Sequence, residues 1–179
     1  NRSLTAELWR DSFANYCKQF DEATSSNGEK VNIVSACAVI SNWDGRVDLE
    51  SRGAILFREV LNNDNNYGVF GGKSYFTVPF DPLNPVETPN GLSDEGKEYL
   101  LGQLADAVLR LNKAGIAIDA PLGDYQYTID GGQRFAVHGG RTAFDGAFNI
   151  VAYVDNLENN STLMSRIPTP PLINPKTNL

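Results

Sequence analysis

A single histidine, a single methionine and two cysteines are all that the 179 residues hold of the side chains from which metal centres, thiol chemistry and histidine-based triads are usually built. Any serine–histidine–aspartate or metal–histidine cluster would have to form around His138. The spacing of Cys17 and Cys37 matches neither a zinc ribbon nor a Cys-x-x-Cys redox pair. The residues leave two readings of them open: buried free thiols in helices, or one disulfide in an oxidising compartment. Positive charge is scarce too. Fifteen Lys and Arg stand against 22 Asp and Glu, a formal net charge of −7. With no local basic cluster, such a surface repels a phosphate backbone, so no nucleic-acid partner is expected. No apolar run approaches the ~20 residues that span a bilayer, so no membrane insertion is expected. Residues 1–20 also lack the order of charge and apolar residues seen in a signal peptide, and the chain reads as soluble and already processed or trimmed.

What is present is the composition of a folded domain. Hydrophobic residues make up 41% of the chain and charged residues 21%, close to the globular average. The length fits one domain, taken as residues 1–167 and followed by a proline-rich tail at 168–179. Leu4, Leu8, Phe13, Tyr16, Cys17 and Phe20 recur at helical spacing and predict a helix over 4–20. Residues 24–28 read as a loop. Asn32 is a candidate N-cap for a helix over 32–42 that buries Ile33, Ala36, Cys37 and Ile40. Ser51 is a candidate cap for a third helix over 52–62, packed through Ile55, Phe57, Val60 and Leu61.

From Gly68 to Gly91, Pro79, Pro82, Pro85 and Pro89 remove backbone donors and predict a long irregular connector. Ser93 then caps a helix over 94–114, with Asp94 and Glu95 set against its dipole and Gly115 as its stop. Beyond it the period falls to two. Strands are expected near 125–130 and 133–138 around a Gly131-Gly132 turn, with a third possible strand over 148–154. The fold class is therefore α+β: about four helices, then a hairpin. The tail caps and closes nothing, which suggests a boundary drawn through a larger polypeptide.

The candidates for chemistry are few, and each has a plain structural reading. His138 ends a strand ahead of Gly139-Gly140, where local hydrogen bonding accounts for it. Asp124 and Asp145 form a carboxylate pair for glycoside hydrolysis only if the fold brings them together, and as turn residues they are simply solvated. Gly139-Gly140 and Gly71-Gly72 lack the context of a phosphate loop and read as tight turns. Asn1-Arg2-Ser3 and Asn159 to Thr162 contain glycosylation-type triplets, which are common by chance.

A series of short motifs carries more. Ser35-Ala36-Cys37-Ala38-Val39-Ile40-Ser41-Asn42-Trp43-Asp44 resembles the cysteine-bearing helix ending in Trp-Asp of penicillin-amidase-family large subunits. Gly53 to Glu59 is similar to that family's next helix, and Phe80-Asp81-Pro82 with Thr88-Pro89-Asn90-Gly91-Leu92 to its proline-rich connector. Leu122-Gly123-Asp124-Tyr125-Gln126 and His138-Gly139-Gly140 resemble its Trp-Gly-Asp/Glu and Gly-Gly segments, with leucine where tryptophan is common. The resemblance runs from the first helix to about Val154, and within the family it is greatest to acyl-homoserine-lactone acylases.

The resemblance implies a segment of the large subunit of an αββα N-terminal-nucleophile hydrolase. In such enzymes a serine freed by self-cleavage attacks a substrate amide, its own α-amino group acts as base, and backbone donors and an asparagine stabilise the oxyanion. That chemistry needs no histidine, metal or cofactor. The family's nucleophile and oxyanion asparagine lie upstream of the matching region, residue 1 here is Asn1, and Ser3 reads as a helix N-cap. No catalytic, cofactor-binding or metal-binding residue is therefore carried over to this chain. The expected partners are the rest of the large subunit, the small subunit and an N-acyl substrate such as an acyl-homoserine lactone or a penicillin. The implied location is the bacterial periplasm or outside the cell, and the implied state of Cys17 and Cys37 is a disulfide. The segment alone is expected to be inactive scaffold. The competing reading is a free-standing helical binding or interaction domain in which the motifs are coincidence. A third, an intact hydrolase using Asp124 and His138, requires those side chains within hydrogen-bond reach.

Overall fold

The computed structural model describes residues 1–62 and 75–140. Five helices and three two-stranded antiparallel sheets follow in the order α1 (Leu4–Cys17), β1 (Glu22–Thr24), β2 (Lys30–Asn32), α2 (Val34–Asn42), α3 (Ala54–Asn62), β3 (Phe76–Val78), β4 (Asn90–Leu92), α4 (Asp94–Ala114), α5 (Leu122–Tyr125), β5 (Tyr127–Asp130) and β6 (Gln133–Ala136). The class is α+β, as expected. The possible strand over 148–154 and the tail over 168–179 lie outside the described residues.

Helix α1 begins where Ser3, itself buried, accepts a hydrogen bond from the Ala6 amide at 3.2 Å. Its buried stripe is Ala6, Trp9, Phe13, Ala14 and Cys17. Leu4 and Leu8, expected to face inward, are exposed. The indole of Trp9 sets the rotation of the helix: it stacks on Phe57 at 4.7 Å and meets Phe13 edge-on at 5.7 Å. The helix also stops before Phe20, because the amides of Gln19 and Phe20 turn back to the carbonyls of Tyr16 and Cys17.

Helix α2 starts at Val34, not at residue 32. Asn32 ends β2, and its Oδ1 accepts from the Val34 amide at 3.2 Å, bracing the entry from one position further out than a cap. The inward face of Ile33, Ala36, Cys37 and Ile40 is as expected, fully covered. Cys17 and Cys37 form a disulfide across 5.7 Å between Cα atoms, joining the end of α1 to α2. Ser51 does not cap α3. Its hydroxyl accepts from the Asp48 amide at 3.0 Å, and α3 starts after Gly53, whose φ of +108° and whose 2.6 Å gap between an added Cβ and Trp43 Cβ require glycine. Every residue from Ala54 to Leu61 is buried, so α3 is the central helix of the described core.

The stretch expected to be irregular contains a short sheet. β3 and β4 pair with Phe76 opposite Leu92 and Val78 opposite Asn90, and the prolines fall between the strands, where their missing donors cost nothing. Helix α4 matches its expected bounds: Ser93 Oγ accepts from the Gly96 amide at 3.0 Å, and Gly115 closes it at φ +69°. Gly96 sits where an added Cβ would lie 2.5 Å from the Tyr75 carbonyl. Helix propensity favours alanine over glycine by about 1 kcal/mol, but a backbone neighbour cannot swing aside. Gly96→Ala should therefore destabilise the chain, by about 1–3 kcal/mol in urea unfolding.

The last hairpin is shorter than expected, with registers running from Tyr127 opposite Ala136 to Asp130 opposite Gln133 around the positive-φ pair Gly131-Gly132. Tyr125 belongs to the single-turn helix α5, which follows Pro121. Residues 137 and 138 have left the strand.

Candidate functional site

Segments far apart in sequence meet at one junction. The turn after α2 is tied down first: the Trp43 indole donates to the Arg46 carbonyl at 2.7 Å, Asp44 Oδ1 accepts from the Arg46 amide at 2.9 Å, and Arg10 donates to the Trp43 carbonyl. The amino-terminal strand lies along this turn, with Ser3 N to Gly45 O at 2.8 Å and Val47 N to Asn1 O at 2.9 Å. The start of α5 is held by the same loop, through Leu122 N to Ser51 O at 3.1 Å and Gly123 N to Leu49 O at 2.8 Å. Gly139 N donates to Val47 O at 2.8 Å.

The centre of the junction is polar and buried. Arg58 on α3 is only 2% exposed, yet its guanidinium donates to Gln126 Oε1 at 2.6 Å and to the Gly139 carbonyl at 3.2 Å. Gln126, 1% exposed, spends its two amide hydrogens on the carbonyls of Val137 (2.7 Å) and Gly139 (2.9 Å). Beside it, the buried Glu59 carboxylate accepts from Arg110 Nε at 3.0 Å, and Arg110 also donates to the Glu59 carbonyl, which clamps α3 to α4. Such hydrogen bonds offset much of the cost of burying a charge.

At the rim, Asn1 Nδ2 lies 2.9 Å from Asp48 Oδ1 and 2.6 Å from His138 Nδ1. The Asn1 side chain thus bridges the Asp48 carboxylate and the His138 ring. The hydrogen bond from Asn1, and then Arg46 nearby, hold the Asp48 carboxyl below its ordinary range. A shallow cleft of about 400 Å³ opens next to this rim, lined by Asp44, Asp48 and Glu50 among the acids and Arg46 and Arg52 among the bases. Arg46 pairs with Asp44 and Asp48 at 3.4 Å each across it, and Arg52 pairs with Asp119 at 3.6 Å. Exposed pairs of this kind contribute about 0–1 kcal/mol.

Of the residues singled out from the sequence, the fold brings His138 to Asn1, whose amide also reaches Asp48. Asp124 is an exposed residue of α5 whose carbonyl accepts from Arg134, and Asp145 lies outside the described residues, as do Gly71, Gly72 and Asn159 to Thr162. Gly139 has the positive φ of +117° that favours glycine, in a stretch that is neither strand nor turn. Among the described residues no three His, Cys, Asp or Glu side chains come together as metal ligands. The serines visible at the junction cap or brace backbone: Ser3 on α1 and Ser51 in the turn before α3. The two residues that sequence reading passed over are Arg58 and Gln126. Their signal was Arg58-Glu59 set inside Ile55-Leu56-Phe57 and Val60-Leu61, a charged pair in a helix with no polar face.

This junction is built from the same segments that carry the family likeness, and comparison with known proteins agrees. The penicillin amidase family matches residues 1–164, so the chain belongs to that family. It is 34% identical over 151 residues to aculeacin-A acylase of Actinoplanes utahensis, a match covering 84% of this chain and 18% of that protein. It is 28% identical over 147 residues to the acyl-homoserine lactone acylase PvdQ of Pseudomonas savastanoi pv. phaseolicola, covering 80% of this chain and 18% of that protein. The corresponding PvdQ of Pseudomonas syringae pv. tomato is 29% identical over 147 residues. The chain thus spans less than a fifth of the length of these relatives. The family match covers every segment that carries the resemblance up to His138-Gly139-Gly140.

Proposed function

We propose that this chain is a scaffold segment of the large subunit of a bacterial amide hydrolase that removes acyl groups from N-acyl compounds, with N-acyl-homoserine lactones as the leading substrate class. The observation that carries the reading is the family match over residues 1–164 together with relatives that are acylases and of which the matching segment makes up only 18%. The geometry supports a supporting role. At the junction the buried groups Arg58, Gln126, Glu59 and Arg110 hold neighbouring segments together through one another and through backbone carbonyls. No catalytic residue is assigned to this chain: the N-terminal serine, its α-amino base and the oxyanion donors belong to the remainder of the large subunit, which with the small subunit forms the working enzyme. The disulfide supports a periplasmic or extracellular location, since such bonds persist in oxidising compartments.

What the segment contributes is precision. Nucleophile, base and oxyanion donors must be held to fractions of an ångström for amide cleavage, and a clamp of buried ion pair, buried hydrogen bonds and disulfide gives the surrounding subunit a stiff wall. The test is the whole reading frame, purified and incubated with homoserine lactones of graded acyl length, aculeacin A and penicillin G, with released amine quantified. Cleavage of long-chain lactones ahead of penicillin G is the expected result. A reading frame of about one domain length, with no acylase turnover, would instead establish a free-standing module.

A further inference from the structure

We infer that the loop joining β3 to β4 is a preformed apolar anchor that seats in a socket on the remainder of the same polypeptide, an inference that rests on the proposal above that the chain is a segment of a longer acylase. Four of the nine large hydrophobic side chains exposed among the described residues fall between positions 78 and 86: Val78, Phe80, Leu83 and Val86. Leu83 and Val86 are each 93% exposed, as bare as side chains can be on a folded surface. Single exposed leucines need no explanation, but a cluster at one loop tip marks a contact surface.

The loop that presents them is not slack. The Thr88 hydroxyl accepts from the Asp81 amide at 2.8 Å and donates to the Asn84 carbonyl at 2.7 Å, closing the loop across its neck. Asp81 Oδ1 accepts from the Leu83 amide at 2.8 Å, the Asp81 carbonyl accepts from the Asn84 amide at 3.0 Å, and Asn84 Nδ2 donates to Glu87 at 3.1 Å. Pro82 and Pro85 restrict the backbone on either side of Leu83 and Asn84. All this bracing orders a tip at which the Leu83 and Val86 side chains stand almost wholly in solvent. A loop ordered in advance loses little conformational entropy when it docks, which is how a small apolar tip becomes an effective anchor.

The occupant follows from what surrounds the loop. It lies inside the family-matched region, and the relatives carry more than four-fifths of their length outside the matching segment, so ample protein is available to cover it. The only charges on residues 79–88 are Asp81 and Glu87, so the socket is apolar with donors or cations at its edge.

Hydroxyl-radical footprinting of the whole reading-frame product and of the 179-residue chain reads this directly. Leu83 and Val86 should be labelled in the short chain and lose that labelling in the long one. The pair of substitutions Leu83→Asp and Val86→Asp should leave the melting temperature of the short chain unchanged and lower that of the whole protein. Equal labelling in both, or a lower melting temperature in the short chain, overturns the inference. So does a whole protein that sediments as a dimer and reverts to monomer on substitution, because the occupant would then be a second copy. The acylase assay is scored separately: protection of the tip in a protein without turnover would leave the anchor standing and remove the substrate reading.

Discussion

Replacing Arg58 with methionine should destabilise the folded chain by about 2–4 kcal/mol, seen as a lower urea midpoint at unchanged slope. Methionine has similar length and no charge, so the change tests the hydrogen bonds more than the packing. Two acceptors lose their guanidinium donors, Gln126 Oε1 and the Gly139 carbonyl, and Gln126 Oε1 is left buried beside an apolar side chain. A buried acceptor stripped of its donor costs about 1–3 kcal/mol, more where the donor was charged. The carbonyl of Gly139 keeps the bond from Gln126, which limits the loss. Arg58→Lys should fall between the two, since an ammonium cannot reach both acceptors as the guanidinium fork does. Hydrogen exchange would add a spatial check, with the Val137 and Gly139 amides losing protection ahead of those of α4. A midpoint within experimental scatter of the parent chain for both variants would show that the junction is not held by this residue.

The second large effect is expected from the disulfide. Cys17 and Cys37 are separated by 20 residues, and closing a loop of that size stabilises by about 3 kcal/mol in the chain-entropy model. Both sulfurs are buried, so alanine is the cleaner replacement, because serine would bury a hydroxyl. Cys17→Ala with Cys37→Ala should therefore lower stability by about 3 kcal/mol, and the reduced parent chain should fall by a similar amount. The loop closed by the bond contains the β1–β2 hairpin, whose Ser26 amide and hydroxyl both reach Asp106 on α4, at 2.9 and 3.1 Å. Losing the bond should loosen that hairpin before the α3–α4 clamp. Titration of two free thiols in unreduced protein, or equal unfolding midpoints with and without reductant, would contradict this.

What could be read from the sequence, and what could not, divides along physical lines. Helix α4 was legible to the residue because its cap, dipole charges, apolar stripe and αL glycine all lie within one continuous window, Ser93 to Gly115. The rotation of α1 was not, since Leu4 and Leu8 have the right spacing but Trp9 has the larger surface to bury, and only the position of Phe57 decides between them. Three-residue strands such as β3 and β4 are shorter than any window that can show a period of two, so a proline-rich stretch hid them. The cap assigned to Ser51 failed because the close approach of Gly53 to Trp43, ten residues earlier, delays the helix by two residues, to Ala54.

The junction was legible only as pieces. Trp43-Asp44, Gly53 to Glu59, Leu122 to Gln126 and His138 to Gly140 could each be recognised as family segments. Nothing in their spacing says that Arg58 meets Gln126 across 68 residues, or that both meet Gly139. Leu122, at the start of α5, is fully buried in the core.

The central claim is that this chain supports amide hydrolysis without performing it. It is tested most directly by measuring turnover of the purified 179-residue chain beside that of the whole reading-frame product, on long-chain acyl-homoserine lactones, with released homoserine lactone quantified against buffer. The account predicts turnover by the whole protein and none above the blank by the short chain, even when circular dichroism shows it folded. Turnover by the short chain that is lost on substituting His138 would place the active site at the Asn1–Asp48–His138 rim and contradict the account.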